Sequence, residues 1–215
     1  MDLELFILRI PAILLALTIH EYAHGWMAMK LGDPTARDAG RLTLNPVAHL
    51  DPIGALMLLW GPFGWAKPVP VNGSYFKKPK RDIFLVSAAG PISNVLLAIV
   101  LGSIHRLLMV NTPAFINSIP HLQQFLLLTI LINLGISFFN LLPVPPLDGS
   151  KILLSMLPNR WIPGYLEKTR YVPLIFIAML IFDWITRVPF FSKYLFMIFD
   201  PYQSFWMHLI YGKYF

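Results

Sequence analysis

The sequence predicts an all-α integral membrane protein: a polytopic bundle of about five transmembrane helices, with a re-entrant or short β-hairpin segment between the first two. Three observations carry this. Of the 215 residues, 56% are hydrophobic and only 13% charged, about half the charged share of a soluble domain. The mean hydropathy is +0.62. Several apolar runs are also long enough to cross a hydrocarbon core of ~30 Å. The chain reads as one membrane-embedded domain, 1–215, with a core at about 1–157 and C-terminal helices at about 165–213.

The first element, about Leu3 to Leu31, is a helix of roughly 40 Å that ends on the turn signal Gly32-Asp33-Pro34. Its flank is acidic and no small-residue cleavage site follows, so it reads as a retained helix rather than a removed signal. Residues 32–82 form a long connection rich in Pro, Gly and Asn. Within it, "PIGALMLLWGPFGW" is too short to span and suits a re-entrant or interfacial excursion. The flanks "GRLTLN" and "WAKPVPVN" alternate like short strands, and their prolines suit only a sheet edge. A second span is expected at Ile83–Val110. A third is expected at His121–Leu142, stopped by "PVPP" because proline cannot continue a helix interior. "LDGSKILLSML" reads as a turn and a short helix. A fourth span is expected at Val172–Thr186, and a weaker fifth at Phe190–Tyr211, interrupted by Asp200-Pro201.

The net charge of +6 is unevenly spread. Lys and Arg number eight in 30–82 and four in 144–171, with none in 107–120. The positive-inside rule places both basic loops in the cytoplasm and the N-terminus outside, as in a cell (inner) membrane protein. The charge is thereby explained by the lipid bilayer, and nucleic acid is not an expected partner. With no cysteine in the chain, disulfides and thiolate metal sites are excluded.

One stretch of the first helix does not belong in lipid. His20-Glu21-Tyr22-Ala23-His24 matches H-E-x-x-H. On a helix, positions i and i+4 lie about 40° apart, so both imidazoles can grip one metal while Glu21 flanks its water. Polar contact between helices is the plainer reading, but ionisable clusters inside membrane segments are functional by default. A catalytic zinc needs three protein ligands and an open position. Glu4 lies far up the first helix and Glu167 lies in a charged loop. Asp148 follows the third helix at the same membrane edge as His20 and His24, although "DG" alone is a common turn. His49 and Asp51 sit in a Pro- and Asn-rich turn and read as structural. His105, His121 and His208 lie near helix ends and read as interfacial, whereas Gly25, Gly90 and Gly135 suit close helix packing.

Taken together, "HEYAHG" at 20–25, "NPVAHLDPIG" at 45–54, "GWAKPVPVN" at 64–72, "AAGPISN" at 88–94 and "FNLLPVPPLDGSKIL" at 139–153 resemble the site-2 protease family of intramembrane zinc metalloproteases. The resemblance covers roughly residues 1–157. It implies one zinc per chain held by His20, His24 and Asp148, with Glu21 as the catalytic carboxylate. It also implies a substrate-contacting role for Asn140. Family members often add a PDZ or nucleotide-sensing module; this sequence has neither and looks like a minimal form, a single membrane-embedded metalloprotease domain.

The expected chemistry is hydrolysis of a peptide bond in or near a transmembrane segment of a protein or peptide substrate. A tetrahedral oxyanion needs a neutral donor, for which Asn140 and then Asn94 are the candidates. A substrate helix must be unwound to be cut, and an edge strand through Trp65, Ala66, Lys67 and Val69 could hold it extended by backbone pairing. The competing class is a membrane divalent-metal binding or transport protein. That would need polar residues lining a path through both halves of the membrane, and the outer halves here are almost wholly apolar.

Overall fold

In lipid every backbone N–H and C=O must be paired within its own segment, so apolar runs without turn signals fold as helices. The structure, a computed structural model, describes residues 3–54, 57 and 64–212. The chain order is α1 (Leu3–Lys30), α2 (Thr35–Asp38), α3 (Pro79–Asn111), α4 (Pro113–Ser118), α5 (Leu122–Leu141), α6 (Asp148–Met156), α7 (Ile162–Lys168), α8 (Val172–Thr186) and α9 (Phe190–Tyr211). Helices α1, α3 and α5 are long and apolar enough to cross a membrane. They pack on one another, and α6 folds back against α3.

Of the five expected spans, three are long and apolar enough to cross a membrane among the described residues, or four if the Asn159–Lys168 segment and α8, bent by 41°, act as one. Physical reasons are visible in both C-terminal helices. With 15 residues, α8 reaches about 22 Å and falls short of a ~30 Å core. Helix α9 continues through Pro201 instead of breaking there. It carries Lys193 and Asp200 and lays Met207, Ile210 and Tyr211 against Ala98, Ile130 and Leu134. Helix α3 starts four residues before the expected Ile83. Pro79 occupies its first turn, where a missing N–H costs nothing. Asp82 closes that turn by accepting the Lys78 N–H at 2.9 Å and pairing with Arg81 at 2.8 Å.

The expected hairpin is reduced, among the described residues, to an antiparallel bridge between Leu50 and Ala66. Beside it the Lys67 N–H donates to the His49 carbonyl at 2.9 Å. Most of the re-entrant excursion expected at 52–65 lies outside the described residues. The chain that follows, 67–72, is a strap fastened to the end of α1. Arg41 Nη2 donates to the Lys67 carbonyl at 2.6 Å. The fully buried Asp33 accepts the Asn72 N–H at 2.7 Å and the Thr35 N–H at 3.0 Å.

Candidate metal centre

Helical spacing puts His20 and His24 one turn apart on α1, their rings edge to face with centroids 4.6 Å apart. Asp148 enters from the first residue of α6. The two Nε2 atoms lie 3.1 Å apart, and Asp148 Oδ2 lies 3.1 Å from His20 Nε2 and 3.0 Å from His24 Nε2. All three side chains are buried.

The outer nitrogens fix the chemistry of the inner ones. His24 Nδ1 sits 2.7 Å from the Val86 carbonyl, which can only accept, so Nδ1 carries the proton. Asn94 Nδ2 donates to the Ala16 carbonyl at 3.0 Å, which turns Asn94 Oδ1 toward His20 Nδ1 at 2.7 Å. His20 Nδ1 is therefore also a donor. In their neutral forms both Nε2 atoms then present lone pairs, facing each other and a carboxylate oxygen. With both imidazoles neutral, three acceptors converge at 3.0–3.1 Å with no donor between them, an arrangement that a shared cation satisfies. Ligands about 2.0–2.2 Å from one zinc stand about 3.3–3.6 Å from each other at the tetrahedral angle, so the observed 3.0–3.1 Å separations need to open by only a few tenths of an ångström. The residues fit zinc.

Local sequence explains how the three groups meet. A Cβ at Gly90 would strike His24 Nε2 and stand 2.6 Å from His24 Cε1 and 2.7 Å from His20 Cε1. Glycine thus makes room on α3 for both rings. Pro91 lacks an N–H and loosens this turn, next to the point where Val86 offers its carbonyl. A Cβ at Gly149 would strike the carbonyls of Leu141 and Leu142, so the glycine lets α6 fold tightly against the end of α5. Lys151 Nζ lies 3.3 Å from Asp148 Oδ1, which leaves Oδ2 to face the imidazoles.

Glu21 is half-buried, and its Oε2 accepts the Val69 N–H of the strap at 2.8 Å. The other expected site residues divide. Asn140 is half-buried and donates to the Ile136 carbonyl of its own helix at 3.0 Å. Asn94 is fully buried, and both its amide hydrogens are committed, to Ala16 O and to Asn133 Oδ1 at 2.8 Å. In this arrangement neither hydrogen faces an open position, unlike the substrate donor expected of Asn94. Ala66 forms the bridge, while Lys67 and Val69 turn their N–H groups inward; Trp65 is exposed.

Packing also places the remaining residues, with His49, Asp51 and Gly25 in the structural roles expected of them. His49 is buried and donates from Nε2 to the Thr43 carbonyl at 2.8 Å, and Asp51 accepts the Gly54 N–H at 2.8 Å, so neither joins the metal group. His105 is buried against the Tyr211 hydroxyl at 2.8 Å rather than interfacial. Gly25 does pack closely, on Ala36 and Val69, whereas Gly135 has no neighbour within 4 Å of a Cβ. Asn133 was not legible as a site residue; an asparagine mid-way along an apolar helix was its one signal.

This fold and site define a polytopic membrane protein with a buried group of three residues, His20, His24 and Asp148, that could hold a metal ion, the ligand number of catalytic rather than structural zinc. The family model for peptidase family M50 matches residues 105–182. The candidate zinc metalloprotease YwhC of Bacillus subtilis is 46% identical over 150 residues, covering 68% of this chain and 67% of the relative. The candidate zinc metalloprotease Rip2 of Mycolicibacterium smegmatis is 32% identical, over 67% of this chain and 55% of that protein. Zinc metalloprotease MJ0392 of Methanocaldococcus jannaschii is 28% identical, over 77% of this chain and 37% of its own length. No solved structure matches. The chain belongs to peptidase family M50, the site-2 protease family. It spans about two thirds of the Bacillus relative and about half or less of the other two.

Proposed function

We propose that the chain is an intramembrane zinc metalloprotease of the H-E-x-x-H type, hydrolysing a peptide bond in or near a transmembrane segment of its substrate. The observation that carries this reading is the acceptor-only cluster of His20, His24 and Asp148 with Glu21 beside it on the same helical turn. These three residues would hold one zinc. When bound, the metal supplies Lewis acidity and a nucleophilic water at neutral pH.

The rest falls to the chain's own groups. Glu21 takes the proton of the attacking water and returns it to the leaving amine. Its bond to the Val69 N–H keeps the carboxylate oriented and in place between turnovers. Asn140, at the end of α5 and just before the loop that delivers Asp148, is the donor proposed for substrate. The strap presents the substrate. In extended chain, alternate residues turn their backbone groups to opposite edges. Lys67 and Val69 point inward to His49, Arg41 and Glu21. The outward edge is therefore Ala66, Pro68 and Pro70, which offers carbonyls and few donors. Trp65 flanks it.

The basic loops support a cytoplasmic active site, an outside N-terminus and a cell (inner) membrane location. The packing of α1, α3, α5 and α6 supports a catalytic core at about 1–157 within one domain. Metal transport is not favoured, because the family and the relatives are named as peptidases and zinc metalloproteases. The test is cleavage of a transmembrane peptide in vesicles by the purified protein. Chelation should abolish cleavage and zinc should restore it. Cleavage indifferent to chelator would contradict the reading.

A further inference from the structure

Beside the metal group lies a second polar cluster that hydrolysis does not use. Asn94 on α3 and Asn133 on α5 are both wholly buried, at 0% exposure, in the middle of apolar helices. Burying two amides in such surroundings is costly unless every hydrogen bond is made. Here they are made in one direction. His20 Nδ1–H donates to Asn94 Oδ1 at 2.7 Å, and Asn94 Nδ2 donates to Asn133 Oδ1 at 2.8 Å. Asn133 Nδ2 then donates to the Thr129 carbonyl at 2.8 Å.

Backbone carbonyls lock this direction at two points. Thr129 O accepts from Asn133 Nδ2, and that turns Asn133 Oδ1 toward Asn94. Ala16 O accepts the other Asn94 hydrogen, one turn before His20 on α1. Flipping either amide would set oxygen against oxygen. The two metal-site histidines are thus oriented by different means. His24 leans on a main-chain carbonyl, Val86 O, which no substitution removes. His20 leans on side chains alone.

We propose that Asn94 and Asn133 are positioning residues for His20. The chain of donors from α1 through α3 to α5 fixes the imidazole as the Nδ1–H tautomer and aims Nε2 at the metal. Because the bonds run head to tail, each polarises the next and increases the electron density available at Nε2. The device also couples metal affinity to the packing of α1, α3 and α5. It rests on the reading of His20, His24 and Asp148 as zinc ligands.

The test is zinc affinity, measured by competition with a chromogenic chelator on the detergent-solubilised full chain, and the visible spectrum of the cobalt-substituted form. Asn94→Leu keeps the volume but leaves His20 Nδ1–H without an acceptor. Its zinc affinity should fall about 10–100-fold, the range for loss of an outer partner to a ligand histidine. Asn133→Leu leaves Asn94 held by Ala16 O alone and should fall by less, with a shifted cobalt spectrum. Ser137→Ala, which removes the Tyr202–Ser137 bond one turn along α5, should leave affinity unchanged. A purely structural pair would lower melting temperature in the asparagine variants and leave affinity and spectrum at wild-type values; that result overturns the proposal. Should Asn94→Leu not fold, Asn133→Leu decides by the same criterion. Wild-type protein that binds no zinc would instead refute the ligand reading beneath it.

Discussion

Gly90→Ala places one methyl group against the metal site, and the structure sizes the effect. The new carbon would stand 2.6 Å from His24 Cε1 and 2.7 Å from His20 Cε1. Carbon pairs settle at about 3.5 Å or more, so each ring must retreat by about 0.8–0.9 Å. Metal–ligand distances tolerate about ±0.2 Å. The ligand set cannot survive that retreat intact, and zinc affinity should fall by about 100-fold or more, at or beyond the upper end for disturbed ligand orientation. Global stability should change far less. Overpacking costs about 1–3 kcal/mol, offset in part by about 1 kcal/mol of helix propensity on replacing glycine by alanine. The variant should therefore fold and lack metal. Gly102→Ala, whose Cβ meets Ile210 on α9 rather than the site, is the matched control and should keep its zinc. Zinc titration of the two variants is the assay. Wild-type affinity in Gly90→Ala would refute the cradle that α3 is argued to form.

Three further outcomes follow from the same geometry. Asp148→Ala should lose most of the zinc and His49→Ala should retain it, as read by metal analysis; the reverse would reassign the third ligand. Val69→Pro removes the N–H that Glu21 accepts, so cleavage should fall about tenfold or more with zinc content unchanged. That is part of the ~10²–10⁴-fold that a general base contributes, and an undiminished rate would show that the strap does not orient Glu21. Deleting residues 67–72 should cripple cleavage of a transmembrane helix, and substrates with Gly or Pro near the scissile bond should outrun an all-leucine helix because unwinding costs them less. Equal rates for all of these would end the strand-pairing proposal.

What the sequence revealed, and what it hid, follows from the range of the interactions. His20, Glu21 and His24 were legible because their relation is local, one helical turn inside an apolar run. Asp148 lies 124 residues beyond His24. No spacing rule links the two, and only the conjunction of motifs pointed to it. Asn94 was visible as a polar residue in lipid, but its role depends on which carbonyls surround it. Ala16 on α1 and Asn133 on α5 decide that, and neither is near it in sequence. Gly90 was read as a packing glycine when its neighbours are the imidazoles themselves. The C-terminal helices were legible at their bounds, Val172–Thr186 and Phe190–Tyr211, but hydropathy alone does not decide which of them crosses the bilayer.

In the proposed mechanism metal binding falls to His20, His24 and Asp148 and proton transfer to Glu21, so the two can be separated. The most direct measurement takes a single preparation of Glu21→Gln and determines both its zinc content and its cleavage of a transmembrane peptide. The amide cannot take a proton from water, while the ligands His20, His24 and Asp148 are untouched. One zinc per chain, as in the wild type, with cleavage lost is the expected result. Zinc lost together with activity would make Glu21 a ligand rather than a base, and substantial turnover with zinc in place would mean that the proton goes elsewhere.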